Sequence, residues 1–591
     1  MNLPLFLQAS IFLMVSWLLL AMSFFSWGRF FSRRLNIKID GKKGIIANIW
    51  LGFIFSIIFF SIYHLFLPIN AFASSIFYFP GIIYFFIKYG KKLPDFVKSI
   101  GSLKISVIVL TLFIASAVAI QLPTNFDAGL YHLNSIRWNN EYHIVKGLGN
   151  LHTRLGFNQS FFLFCASLNF HPFLNEYGFH ASNSFLFALF FVGTIIGGKS
   201  IDLIFACLFI FIPMPYHWMT SPTPDFASTI IQIITFRYFV EAVHYKPQNK
   251  ERISIISFVA LLSAILITIK LSNVVYVACL GLITIIFGIK YKFDSSEKKL
   301  IGKAFVCIGS FFAIWITRGY IQTGYPLFPS SIGGINTTWT VPKYWANKME
   351  NNVYAGSRSC ETTFDINSPI LKNYAWLPLW IKRNIFDEEI YWSDDSSENL
   401  STSVSLLLFP SNVNNWGIGS LTLCILSIIL IAIWAVSVIR NVNSFHKCII
   451  LLYLLTAEII SIAFWFFMAP CPRFANGIFI CLFVTSLLLI KEICPNLKVN
   501  ENIKTLMGFY LFIMLVWNFY LGYTNNEFSI DGIKPVVKIP MREFVLKSGL
   551  KIFIPQTGAQ CWDSQPPSTI EPKLGLSLIG SNMKDGFFIK D

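Results

Sequence analysis

The sequence predicts an all-α polytopic membrane protein of about fourteen transmembrane helices, with long outer loops and a small C-terminal α/β segment outside the membrane. Three observations lead there. Of 591 residues, 55% are hydrophobic and only 13% charged, whereas soluble domains of about 100–200 residues carry roughly 25% charged residues and could not hide so much apolar surface. The apolar residues form continuous runs, not the alternation a membrane barrel needs. The formal net charge of +16 gathers in short Lys/Arg-rich loops between those runs, a sign of membrane orientation and not of nucleic-acid binding. The same composition excludes disorder.

A hydrocarbon core about 30 Å thick is crossed by roughly 17–25 apolar residues. Such runs occupy 5–27, 44–66, 72–88, 105–121, 182–198, 200–216, 224–242, 254–270, 272–289, 301–317, 416–438, 447–468, 474–490 and 503–522. The first is a retained span, since Met1-Asn2-Leu3-Pro4 carries no basic residue and Arg29, Arg33, Arg34, Lys38, Lys42 and Lys43 follow it. Further basic clusters at 88–104, 246–252, 290–303, 440–447 and 491–504 recur at every second crossing. The positive-inside rule then directs both termini away from the cytoplasm. The tight junctions at Lys199 and Leu271 leave room for a re-entrant hairpin in place of two spans.

The chain divides into N-terminal helices (1–104), a core (105–317) holding the first outer loop (122–181), a second outer loop (318–415), C-terminal helices (416–522) and an extracytoplasmic tail (523–591). Long loops between membrane helices are uncommon unless they do something. The cytoplasmic loops are too short for a soluble domain, and no Gly-rich phosphate loop is present, which argues against ATP hydrolysis.

The first outer loop is the most informative. Asp127 follows the fourth span by a few residues, and Tyr131, His132, Arg137, His152, Arg154 and Asn158 come behind it. Leu130, Leu133 and Ile136 have helical spacing, as in an interfacial helix, and 157–170 reads as a second one. Singly, each polar residue reads as a solvated side chain. Together, a carboxylate able to take a proton from a hydroxyl, beside guanidinium groups able to neutralise phosphate, suit chemistry on a lipid phosphate or diphosphate. Asp127 is the expected catalytic base.

Other polar residues stand at helix mouths on the same side. Asp225, in SPTPDFAS, is a substrate-binding candidate, although an acidic first-turn residue also suits the helix dipole. Arg318 and Arg473 are expected at phosphate depth, or snorkelling to headgroups. Lys270 and Glu458 fall inside predicted spans, where charge is costly; they could pair, or Lys270 could meet a lipid phosphate. Trp376, Trp380 and Trp392 form a candidate saccharide cleft, with an interfacial belt as the alternative. In the tail, IKPVVKIP and LKIFIP suggest strands. Cys360 and Cys561 are the expected disulfide. The dispersed histidines give no metal-ligand spacing, so no cofactor is expected, and a divalent metal stays open.

The long first outer loop, Asp127 just past its helix, Arg318 in RGYIQTGYPLFP and Arg473 in PCPRF resemble the GT-C class of integral-membrane glycosyltransferases. The resemblance implies a GT-C-like core, a polyprenyl-phosphate or polyprenyl-diphosphate sugar donor, a saccharide or lipid acceptor, and Asp127 as base or acceptor-orienting group. The chain departs from that class in the helices before Asp127 and in lacking an adjacent acidic partner, which favours a single base helped by arginine. DAGLYHLNSIRW, GNLHTRLGFNQS, TGYPLFPS, PRFANG and GAQCWDSQPPST also look like a largely uncharacterised bacterial multi-pass family. The expectation is therefore a glycosyltransferase of the bacterial inner membrane, acting at its outer face in cell-envelope polysaccharide or glycolipid assembly. Its rivals are a repeat-unit polymerase, a lipid-linked saccharide flippase or transporter, and an envelope scaffold. Besides donor and acceptor, membrane lipid is the expected partner, and nucleic acid is not.

Overall fold

The computed structural model describes residues 3–123, 125–174, 177–197, 200–211, 218–245, 249–289, 293–360, 362–385, 416–440, 443–494, 513, 516, 533 and 535–590. Eleven helices among the described residues are long and apolar enough to cross a membrane. Of the fourteen expected, the run at 200–216 is described as a helix only over Ser200–Phe211. The run at 416–438 contributes the shorter apolar stretch Thr422–Ser437, and 503–522 lies outside the described residues apart from 513 and 516.

Helices α1 (Leu3–Leu35) and α2 (Gly41–Tyr63) pack against each other, with α3 (Ala71–Tyr89) and α4 (Ser102–Ala119) on α1. The α1–α2 approach depends on Gly28 and Gly52, where a Cβ would collide with the carbonyls of Asn48 and Phe24. After the first loop come α7 (Tyr177–Gly197), α8 (Ser200–Phe211), α9 (Pro224–Val243), α10 (Asn249–Ile269), α11 (Val274–Ile289) and α12 (Ser295–Thr323). Helix α9 is buried along its whole length and forms the axis of the bundle. On α11 and α12, Leu282, Ile285, Phe305 and Val306 point outward, which is stable only against lipid. The bundle also buries an ion pair, Asp202 on α8 with Arg237 on α9 at 2.7 Å.

The junction of α1 and α2 meets the ends of α9, α10 and α12 at one end of the bundle. There Lys43 pairs with Glu251 at 2.8 Å and Glu241 at 3.3 Å, and Lys303 donates to the Arg34 carbonyl at 2.7 Å. The opposite end carries the first loop, the second loop and the tail. In the first loop a π-turn, Ala128–His132, runs into α5 (Leu133–Glu141), as the Leu130/Leu133/Ile136 spacing predicts. The second expected interfacial helix forms only as α6 (Phe161–Leu168), and all its residues are buried by the surrounding helices. Apart from Ser167, which bonds Tyr78 at 2.7 Å, its side chains are apolar, so it has no polar stripe to turn toward water.

Helix α12 continues past the expected end at 317, so Arg318 lies inside it; the stop comes at Gly324, whose left-handed φ of +81° suits a residue without a Cβ. The second loop holds α13 (Lys343–Arg358) and α14 (Leu377–Ile385), followed by α15 (Trp416–Arg440), α16 (Asn443–Met468) and α17 (Asn476–Ile493). In the tail, β1 (Met541–Val545) pairs antiparallel with β2 (Lys551–Pro555), and β3 (Leu576–Leu578) with β4 (Phe587–Ile589). LKIFIP is a strand as expected, but the described residues of IKPVVKIP are not: the strand starts beyond them, at MREFV. Leu546, Ile552, Leu576 and Phe587 of the tail share one core with Trp138, Leu148 and Leu151 of the first loop, so tail and loop fold as one layer.

Candidate functional site

Five side chains from five separate helix ends meet at the loop-bearing end of the bundle. Asp127 opens the helix that becomes α5. Its backbone N–H donates to the Asn125 side chain at 2.9 Å, and the Ala128 N–H to the Asn125 carbonyl at 2.9 Å, so a turn starts the helix at this point. Arg154 sits on the 3₁₀ turn Thr153–Gly156. Asp225 lies in the first turn of α9, after Pro224. Lys270 occupies the extended link between α10 and α11, and Arg473 the 3₁₀ turn Pro472–Phe474 between α16 and α17.

These residues alternate in charge. Arg154 Nη1 lies 3.9 Å from Asp127 Oδ1, and Arg473 Nη1 lies 3.1 Å from Asp127 Oδ2. The same guanidinium places Nε 3.7 Å from Asp225 Oδ2, and Asp225 Oδ1 accepts from Lys270 Nζ. Three cations thus surround two carboxylates, a formal surplus of one positive charge. Lys270 also stands over the Phe474 ring at 3.6 Å, with Arg473 at 5.2 Å from the same ring, so one aromatic ring serves both cations. Burial pushes the Asp127 carboxyl upward, but Arg473 and then Arg154 more than offset it and hold the group below the usual carboxylate range.

His132 and Tyr131 form the inner wall. Burial takes His132 down to about 3, and its Nδ1 has no hydrogen-bond partner among the described residues. The Tyr131 ring packs edge-on to Phe157 and lies 5.9 Å from the Arg154 guanidinium.

The other expected site residues lie elsewhere. Arg137 turns to the tail, with Nε at 2.7 Å from Glu141 and Nη1 donating to the Asp563 carbonyl at 2.5 Å. His152 lies 3.7 Å from Glu571, which also accepts from the Thr153 N–H at 3.1 Å, while Lys573 donates to the carbonyls of Gly149 and Asn150. This group staples loop to tail. Asn158 exchanges reciprocal bonds with Trp315 on α12, at 2.7 and 2.9 Å. Arg318 is buried at 3% exposure and donates to His64 Nδ1 at 3.1 Å. Glu458 accepts from Thr485 and is not the partner of Lys270.

The expected aromatic cleft is a support. Trp376 and Trp380 pack with Trp465 and Phe479 in a closed cluster, and Trp392 lies outside the described residues. Trp380 Nε1 donates to the Pro470 carbonyl at 2.6 Å and Trp465 Nε1 to the Cys471 carbonyl at 2.7 Å. Both indoles therefore hold the turn that presents Arg473. Nor is the expected disulfide present: Cys360 and Cys561 are both thiols, Cys360 within this aromatic cluster and Cys561 in the strap over the first loop.

That strap, 560–563, is the feature sequence reasoning missed. Gln560 Nε2 donates to the Phe126 carbonyl and the Trp562 N–H to the Gly129 carbonyl, both at 2.7 Å, on either side of Asp127. A Cβ on Gly129 would lie 2.6 Å from the Trp562 indole, so the helix carrying Asp127 needs glycine there. GAQCWDSQPPST is visible as a motif, but nothing local signals what it touches.

The model of a protein family described as a domain of unknown function, DUF8201, matches residues 11–394, more than half of the chain. The chain belongs to the DUF8201 family. No curated protein and no solved structure matches it. The DUF8201 match takes in Asp127, Arg154, Asp225 and Lys270, whereas Arg473 and the strap lie beyond it. In this member of DUF8201 the cluster is completed by residues outside the matched region.

Proposed function

We propose that this DUF8201 protein is a membrane glycosyltransferase. It moves a saccharide from a polyprenyl-phosphate or polyprenyl-diphosphate donor at the outer face of the bacterial inner membrane, with both termini on that side. One observation carries the reading: the run Arg154–Asp127–Arg473–Asp225–Lys270, with its surplus positive charge, at one end of a helical bundle. Guanidinium and ammonium groups in that arrangement suit a lipid-borne phosphate, and a carboxylate between them suits a hydroxyl acceptor.

In the reaction, the acceptor hydroxyl oxygen bonds to the anomeric carbon. The bond from that carbon to the phosphate oxygen breaks, and its electron pair leaves with the lipid phosphate. The hydroxyl proton passes to Asp127. At rest, Asp127 is a weak base because Arg473 and Arg154 hold it ionised. An arriving phosphate competes for the same cations, which relieves Asp127 of part of their field and raises its basicity when a base is needed.

The test is saccharide transfer from polyprenyl-linked donors by the purified full-length protein, with the lipid-linked saccharide pool of a deletion strain as the cellular counterpart. Asp127→Asn is expected to lower transfer by about 10²–10⁴-fold while the protein still accumulates in the membrane. Full activity in that variant would refute the assignment of Asp127.

A further inference from the structure

Helix α5 walls a cavity of about 250 Å³ along its length from Leu133 to Glu141, between the first loop and the tail. Its lining combines apolar Leu133, Ile136, Phe179 and Val536 with charged Arg137, Glu141, Lys538 and Asp563. We propose that this cavity is a saccharide subsite, holding a neutral sugar of the glycan handled at Asp127. The assignment rests on the transferase reading above and adds a substrate class to it.

Charge distinguishes the two places. At Asp127, three cations face two carboxylates. In the cavity, Arg137 and Lys538 are matched by Glu141 and Asp563, so no net field selects for an anion. Carboxylate and guanidinium groups offer paired acceptors and donors to adjacent hydroxyls, while Phe179 offers an apolar wall to the C–H face of a sugar ring. The volume falls below the roughly 300–1,000 Å³ of a drug-sized pocket and fits a small polar ligand.

Position gives the length of the ligand. Asp127 and Arg137 lie on one continuous helical stretch, and ten residues at about 1.5 Å each separate them by roughly 15 Å. That is longer than one pyranose ring, so a glycan reaching both places is an oligosaccharide. A second cavity shares Asn140, Glu141 and His171 and continues along the same helix. The strap ties the places together, because Gln560 and Trp562 grip the turn of Asp127 while Asp563 meets Arg137.

The test uses the full-length protein in lipid nanodiscs and a panel of neutral gluco-, galacto- and manno-oligosaccharides, from monosaccharide to hexasaccharide, read by native mass spectrometry. Binding is expected for the longer members. It should weaken about tenfold in Glu141→Gln, through loss of a charged hydrogen bond, and fall in the exposed variant Lys538→Ala. The cavity assignment is overturned if no panel member binds, or if both cavity variants bind like the parent. If the protein binds the panel yet transfers nothing, the transferase reading fails and the subsite stands. Transfer without panel binding leaves the transferase reading and removes the subsite.

Discussion

Arg473 reaches Asp127 with one nitrogen and Asp225 with another, at 3.1 and 3.7 Å, so a single guanidinium bridges the first loop and the mouth of α9. A planar fork can do this and a point charge cannot. Arg473→Lys is therefore expected to keep the protein folded and to lower transfer on the order of 100-fold, the usual effect of losing one preorganised donor. Near-parental rates in the lysine variant would show that the bridge is dispensable.

Asp225 and Lys270 are both largely buried, and each is the other's nearest opposite charge. Removing one partner strands the other, so Lys270→Met and Asp225→Asn singly should each cost about 3–5 kcal/mol, and the double variant less than either single loss. Thermal unfolding in detergent across the four proteins measures the coupling. Additive losses would mean that the Phe474 ring holds Lys270 without Asp225.

Gly129→Ala places a methyl group against the Trp562 indole and should loosen the strap, lowering both melting temperature and transfer. Adding Trp562→Ala to Gly129→Ala removes the obstruction, so it should recover melting temperature and leave transfer low, because the packing that orients Asp127 is gone. Protease accessibility of the tail reports the strap directly.

Acid should destabilise the loop–tail layer. Burial lowers His152 to about 4 and His132 to about 3, from an ordinary 6.5. Between pH 6.5 and about 4 the unfolded chain takes up protons that the folded one refuses, so stability falls as pH drops through that window and is fully present above it. His152→Gln removes one of these protons and should flatten the decline, measured as melting temperature at pH 7 and pH 5. An unchanged slope would mean that His152 is not buried neutral.

Hydropathy was sufficient to locate eleven spans among the described residues, because burial in lipid demands long apolar runs whatever the helices later touch. Of the site, Asp127, Arg154, Asp225, Lys270 and Arg473 were legible as polar residues at helix ends, but His152, Asn158 and Arg318, equally polar, turned out to staple and pack. Nothing in a linear pattern separates those two uses. Trp376 and Trp380 show the same limit, since an indole that stacks on a sugar and one that braces the turn of Arg473 look alike in sequence.

The sequence by itself determined that the chain is a helical membrane protein and which of its helix ends are polar, since both follow from composition along short stretches. Only the tertiary structure decided that Arg473 stands between Asp127 and Asp225, that Cys360 and Cys561 stay apart, and that the tail grips the helix of Asp127. Ion pairs and strap contacts join residues hundreds of positions apart, and their strength depends on distance and burial in space, which no local periodicity encodes.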